Sequence, residues 1–377
     1  MNRKLCLTLP ADILLLFLTL PVAAQEHDSV APGLTSTEFV STIERLSEPT
    51  GDFDSDNYIS NETGYLYIIP KLAELKIKGG VYIGVGPEQN FTYIAQLRPE
   101  IAFILDIRRD NLLEHLIFKA IFGLSRSRAE FLSLLLSKPS PTPDDLSGVP
   151  SIAALVSYFD GVDGQDHLFS TNHQRIRQAI ESYKLDLSDE DYEMIKETLL
   201  VFRERHLDLR WEYKTDGSRG ITFPSFREML LSTDLEGVHR NFLNSDTDFY
   251  YLKDMQARNL VVPLTGDFAG DAALKNIGNY TRQAGMTVSA FYLSNVEYYL
   301  VPDGLMSDFA ENVKSLPTAD NTVLIRAFVN LSSAPHPARV GAELMTTLVQ
   351  YVASFRQKWD DGVYGTYLDV GAADYIQ

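Results

Sequence analysis

The chain has 377 residues, 45% of them hydrophobic, with 33 Lys+Arg against 51 Asp+Glu and a formal net charge of −18. That length and apolar content suffice for one large domain with insertions or for two domains. The acidic excess argues against a nucleic-acid partner, whose phosphate backbone calls for clustered Lys and Arg; the basic spots Arg108-Arg109, Arg126 to Arg128 and Arg203 to Arg210 are short and interrupted, and read as solvated helix faces.

Residues 1–24 read as a secretory signal peptide. Asn2-Arg3-Lys4 is the basic start, residues 13–20 are the apolar core, and Val22-Ala23-Ala24 is a small-residue cleavage pattern before Gln25. The core is shorter than the roughly 20 residues that span a bilayer. The expectation is therefore cleavage near Ala24 and export, periplasmic or secreted, with no transmembrane segment in the mature chain. Cys6 is the single cysteine and lies in that leader, which excludes disulfides, thiolate metal sites and a cysteine nucleophile from the mature protein.

Residues 25–64 form an N-terminal lead-in with one short helix at 37–46, stopped by Pro49 and Gly51. The polar stretch from Asp52 to Thr63 has alternating carboxylates, as a calcium loop does. It places Asn57 where the turn glycine belongs and Thr63 where a bidentate Glu is required, so no metal is expected. Ser60-Asn61-Glu62 reads first as a plain turn and second as a segment folding over a pocket.

Residues 65–377 read as one domain. Pro70 opens a short helix at 71–75, and Gly79-Gly80 end it before a first strand at 81–84. The turn Gly84-Val85-Gly86-Pro87, a helix at 91–97 and a second strand at 101–105 ending in Asp106 make a βαβ unit. Residues 111–258 are a mostly helical insertion, with helices at 111–122, 129–136, 172–183 and 189–205, another opened by Ser225 with Glu228, and a Pro- and Ser-rich loop at 138–150. Strands resume at 260–264, running into Thr265-Gly266-Asp267-Phe268, and at 287–293, running into Ser294-Asn295. Helices at 271–284 and 308–316, a strand at 322–329 and an amphipathic closing helix at 339–357 complete the chain.

This alternation predicts an α/β, Rossmann-like fold with a largely parallel sheet and a long helical insertion between the second and third strands. Ligands of such sheets bind at the carboxyl ends of the strands. The polar clusters fall there: after Gly84, at Asp106, at Asp267 and at Ser294-Asn295.

Over residues 81–106 and 260–329 the layout resembles the class I S-adenosylmethionine-dependent methyltransferases. The resemblance implies that Gly84 and Gly86 wrap the methionine part of S-adenosylmethionine, that Asp106 holds the ribose hydroxyls and that Asp267 meets the adenine amino group. It puts Ser294 near the methyl group and leaves Asn295 or Tyr292 to position an acceptor by hydrogen bonding. Pro87, Asn90 and Phe268 complete the candidate set. Glu88 is either a ligand for the methionine amino group or an acid favoured by the helix dipole. The chain also looks like a group of uncharacterised bacterial proteins carrying GVGPEQN, DIRR, GDFAG and FYLSNVE segments.

Departures from the methyltransferase pattern are Tyr82 in place of an acid, Glu88 in place of a third glycine, no Pro-Pro-Tyr after Asn295, and no evident closing pair of strands after Val329. Each site residue also has a structural reading: the glycines as a turn, Asp106 and Asp267 as helix N-caps, Asn295 as a strand end. The functional expectation is an exported protein that binds a small nucleoside-type ligand and transfers a methyl group. A non-catalytic binding or scaffold protein on the same fold is the alternative, followed by a nicotinamide-dependent oxidoreductase, which shares the glycine-then-acid logic. Other chemistries lack their motifs. His167 and His173 do not have metal-pair spacing, and neither a Gly-x-Ser-x-Gly elbow nor a Walker loop is present.

Overall fold

Val81–Gly84, Ile101–Asp106 and Val261–Thr265 are apolar runs buried along their whole length, as strands covered on both faces must be. The computed structural model describes residues 32–214, 220–330 and 335–376, and in it these runs are β1, β2 and β3 of a six-stranded sheet. The expected leader lies outside the described residues. β4 (Val288–Ser294), β5 (Thr318–Val329) and β6 (Met345–Tyr351) complete the order β3-β2-β1-β4-β5-β6. All neighbours run parallel except β5 and β6. The chain fills one side of β1 first and then crosses to the other, so the switch in direction falls between β1 and β4.

Helices make the connections. α1 (Ser36–Leu46) and α2 (Ile69–Glu74) precede β1, and α3 (Gln89–Leu97) joins β1 to β2. Between β2 and β3 lie α4 (Arg109–Leu124), α5 (Arg128–Leu136), α6 (Ile152–Gly161), α7 (Asp166–Ser182), α8 (Asp189–Arg205), α9 (Phe226–Leu231) and α10 (Asp246–Ala257). α11 (Ala273–Gln283) leads to β4, α12 (Glu297–Leu300) and α13 (Met306–Ser315) lead to β5, and α14 (Val352–Asp360) and α15 (Tyr367–Ala372) follow β6. Local chemistry sets several starts: Thr35 with Glu38, Ser188 with Asp191 and Ser225 with Glu228 form reciprocal capping boxes. At α5, Ser127 accepts from the Glu130 N–H, while the Glu130 carboxylate turns to Arg126 instead.

The helices between β2 and β3 belong to the same compact unit, Pro32–Gln377, as the sheet. An aromatic cluster bolts them to α3: the Phe91 ring meets Phe118, Phe122 and Phe242, each at 5.4 Å. The end of the chain differs from expectation. In place of a closing helix at 339–357, residues 345–351 form β6, paired antiparallel with β5, and the helix begins only at Val352. Thr346, Thr347 and Val349 are β-branched, and six of the seven β6 residues are buried, which suits a strand. A single antiparallel strand thus stands where a closing pair was looked for. α7 also begins six residues earlier than the 172 expected, at Asp166, and α6 was not anticipated. Among the described residues no helix is long and apolar enough to cross a membrane.

Candidate functional site

β1 delivers the chain into a turn that its own side chains hold. The Asn90 amide donates to the carbonyls of Val85 (2.9 Å), Gly86 (3.0 Å) and Pro87 (2.8 Å), and its oxygen accepts from Tyr82 Oη at 2.9 Å. Gly86 has φ +77°, a conformation that favours glycine. Gly84 is glycine for a different reason: a Cβ there would collide with Asn90 Oδ1 and lie 2.7 Å from Tyr82 Cε1. From α4, His115 Nε2 meets the Gly86 carbonyl at 2.9 Å, and burial lowers the imidazole pKa to about 4. A neutral ring donating from Nε2 fits both facts.

The lead-in then crosses the carboxyl ends of the sheet. The Glu48 N–H donates to the Thr265 carbonyl at 2.8 Å, and the Glu48 carboxylate accepts from the N–H groups of Asp267 (3.2 Å) and Ala272. Gly51 N donates to the Ile107 carbonyl at 2.8 Å, and the Asp56 carbonyl accepts from Arg108. Ser60 N donates to the Glu88 carboxylate at 3.1 Å, and Ser60 Oγ to Gln89 Oε1. Glu62 reaches β4, accepting from Tyr292 Oη at 2.7 Å and from Ser294 Oγ. Ser294 itself sits at φ +51°, which is strained for a residue with a Cβ.

These crossings enclose a cavity of about 250 Å³ beside the β1–β4 switch. Val85, Gly86, Pro87 and Gln89 line it from the first turn and the start of α3, Asp106 from the end of β2 and Arg108 from just beyond it, Asp267 and Phe268 from the turn after β3, Tyr292 and Ser294 from β4, and Asn295 from just past its end. Ser60 and Asn61 line it as well, so that segment is part of the cavity wall. Phe53, Trp211 and Tyr299 add aromatic surface, with Phe53 and Tyr299 in edge contact at 5.1 Å. Asp52 and Asp303 are exposed and join Asp267 as an acidic rim.

Not every candidate faces this space. Gly84, Glu88 and Asn90 lie behind the wall, where Asn90 and Glu88 hold the turn and the lead-in. Asp106 faces the cavity but is already engaged. Its Oδ1 accepts the Arg108 backbone N–H (2.9 Å) and Nε–H (3.1 Å), and its Oδ2 accepts from Arg108 Nη2 (3.0 Å). Asp267 accepts from Ala269 N at 2.8 Å, closing its own loop. Sequence reasoning missed Arg108, Gln89, Glu48 and the wall residue Trp211. Arg108, two residues past Asp106, and Trp211, one of only two tryptophans, carried a faint signal. Among the described residues no three His, Cys, Asp or Glu side chains converge to hold a metal ion.

Burial raises the pKa of Glu88 to about 7, against the pull of backbone N–H groups including that of Ser60. A carboxyl protonated in the folded chain but ionised in the unfolded one removes stability as pH rises from the ordinary carboxyl value to about 7, and no more beyond it. Glu88→Gln keeps an acceptor for Ser60 and should gain on wild type by about 2–3 kcal/mol between pH 5 and pH 8. Urea denaturation at both ends of that window measures it; parallel pH curves for the two proteins would contradict a buried proton at Glu88.

Fold and cavity together define an α/β protein with a ligand-type cavity at the carboxyl ends of a mostly parallel sheet. The chain belongs to the family described as a domain of unknown function (DUF7790), matched over residues 58–141 and 158–367. That span takes in all six strands and every cavity residue from Ser60 onward, and leaves out Asp52, Phe53 and Asn57 of the cavity wall. No curated protein matches the chain.

Proposed function

We propose that the cavity binds a small nucleoside-type ligand, with S-adenosylmethionine the leading candidate, and that the protein is methyltransferase-like on a Rossmann-like fold. The observation that carries this reading is convergence: the ends of β1, β2, β3 and β4 contribute Gly86, Asp106, Asp267 and Ser294-Asn295 to one cavity at the switch point. Aromatic walls offer stacking surface to a flat base, and the amides of Asn57, Asn61 and Asn295 offer hydrogen bonds to it. The acidic rim and the paired state of Arg108 work against a dinucleotide, whose pyrophosphate requires positive charge or free N–H groups. A nicotinamide-dependent reaction is accordingly the weaker reading. With an acceptor held against Asn295 or Tyr292, catalysis would come mainly from in-line proximity.

A second reading, a binding protein without turnover, draws on the Asp106–Arg108 pair, which engages the carboxylate expected to grip ribose. It also suits an exported protein, since S-adenosylmethionine is made in the cytoplasm. Calorimetry of the folded protein against S-adenosylmethionine, S-adenosylhomocysteine and NAD tests both. Saturable heat from the adenosyl ligands and none from NAD is the expected result; no heat from either adenosyl ligand would sink the proposal. Binding with no S-adenosylhomocysteine formed across hydroxyl and amine acceptors would favour the second reading.

A further inference from the structure

Glu62 lies one hydrogen bond behind the cavity wall and is 1% exposed. Tyr292 Oη and Ser294 Oγ donate to its Oε1, and Gln89 Nε2 donates to Oε2 at 3.0 Å. All three donors line the cavity. The titratable groups that face it are Tyr82 of β1, Tyr93 of α3, Tyr292 of β4 and Glu88 at the head of α3, and none of them is cationic. Among the described residues Arg108 is the one guanidinium lining the cavity, and it is held by Asp106 and the Asp56 carbonyl.

A buried carboxylate without a counter-charge is costly, and such groups relieve the cost by taking up a proton. Burial raises the Glu62 pKa, while hydrogen bonds from Ser294, Gln89 and Tyr292 pull it the other way. Burial is the larger influence while no charge faces the acid, and a positive charge placed against Tyr292 and Ser294 adds to the pull of those hydrogen bonds toward the ionised form. The rim acids Asp52, Asp267 and Asp303 favour entry of the same sign of charge.

We infer that Glu62 holds a proton while the cavity is empty and releases it to solvent when a cation enters, so that the site selects a cationic ligand. This rests on the nucleoside reading above, in which the sulfonium of S-adenosylmethionine is the cation. Loss of the Glu62 O–H bond balances the incoming charge, and the proton leaves past the Ser294 hydroxyl into cavity water. Ligands that differ only in charge at that point should be told apart.

S-adenosylmethionine and S-adenosylhomocysteine are such a pair, differing by one methyl group and one positive charge. Calorimetry in two buffers of different ionisation enthalpy, run between pH 5 and pH 8, counts the protons exchanged. Wild type should release up to roughly one proton with S-adenosylmethionine and none with S-adenosylhomocysteine. Its preference for the sulfonium, about tenfold or more, should shrink toward parity in Glu62→Gln, with no proton released. Infrared spectra of wild type supply a readout independent of the variant: a protonated-carboxyl band lost on adding S-adenosylmethionine and kept with S-adenosylhomocysteine. Equal affinity for both ligands with no proton release and no band change would overturn this inference alone. No heat from either ligand would overturn the nucleoside reading and this inference with it.

Discussion

Asp106→Ala should cost about 3–5 kcal/mol of folding stability, because it leaves a buried guanidinium without its partner. The Arg108 and Asp106 side chains are only 4% and 5% exposed, and three hydrogen bonds join the two residues. Arg108 also ties β2 to the lead-in through the Asp56 carbonyl, so an uncompensated charge there loosens the cavity wall as well. Replacing both partners by apolar residues of similar size, Asp106→Leu with Arg108→Met, should recover most of that loss, since the desolvation cost of the pair disappears with it. Urea denaturation of wild type, single and double variants measures the effect. A double variant no more stable than Asp106→Ala would show that the pair does not act as a unit. The same proteins separate structure from binding: a folded double variant that has lost adenosyl-ligand affinity would assign Asp106 to the ligand as well as to Arg108.

The two glycines of the first turn should respond to alanine very differently. In Gly84→Ala the new methyl group collides with Asn90 Oδ1 and crowds Tyr82, both of which are fully buried. About 3 kcal/mol is expected from overpacking and from disturbing the Asn90 hydrogen bonds. In Gly86→Ala the nearest atom is Asn57 Nδ2 at 3.7 Å, so space is ample and the cost is the left-handed backbone alone, about 1–2 kcal/mol. That methyl points toward Asn57 in the cavity wall, so its binding penalty should be large relative to its stability penalty. Denaturation and calorimetry on both variants decide the matter; a Gly86→Ala protein less stable than Gly84→Ala would reverse the assignment of roles.

Much of this architecture was legible beforehand because strands and turns declare themselves locally. Val81–Gly84 matches its expected bounds, and the expected strands at 101–105, 260–264 and 287–293 lie within one residue of β2, β3 and β4. β6 was not legible: its Thr and Val residues fit either period over so short a run, and pairing with β5 decides between them. The Gly266-Asp267 turn shows a subtler difference. Its Asp267 suggested a ligand, yet a Cβ on Gly270 would collide with Glu48 Oε2 and one on Gly266 would lie 3.1 Å from it. A side chain of the lead-in, more than two hundred residues earlier in sequence, occupies the N–H groups of Asp267 and of Ala272, the residue just before α11.

The order of the first five strands, the glycine turn and the acids at the strand ends followed from the sequence by itself, because periodicity, turn residues and burial act over a few neighbours. Which of those acids remain open to a ligand was decided by tertiary structure alone. Arg108 closes on Asp106, Glu48 fills the turn after β3, and Glu62 comes from the lead-in to stand behind Tyr292 and Ser294. Charges of this kind find one another only when distant segments are packed together with little water between them, and no local pattern in the chain encodes that meeting.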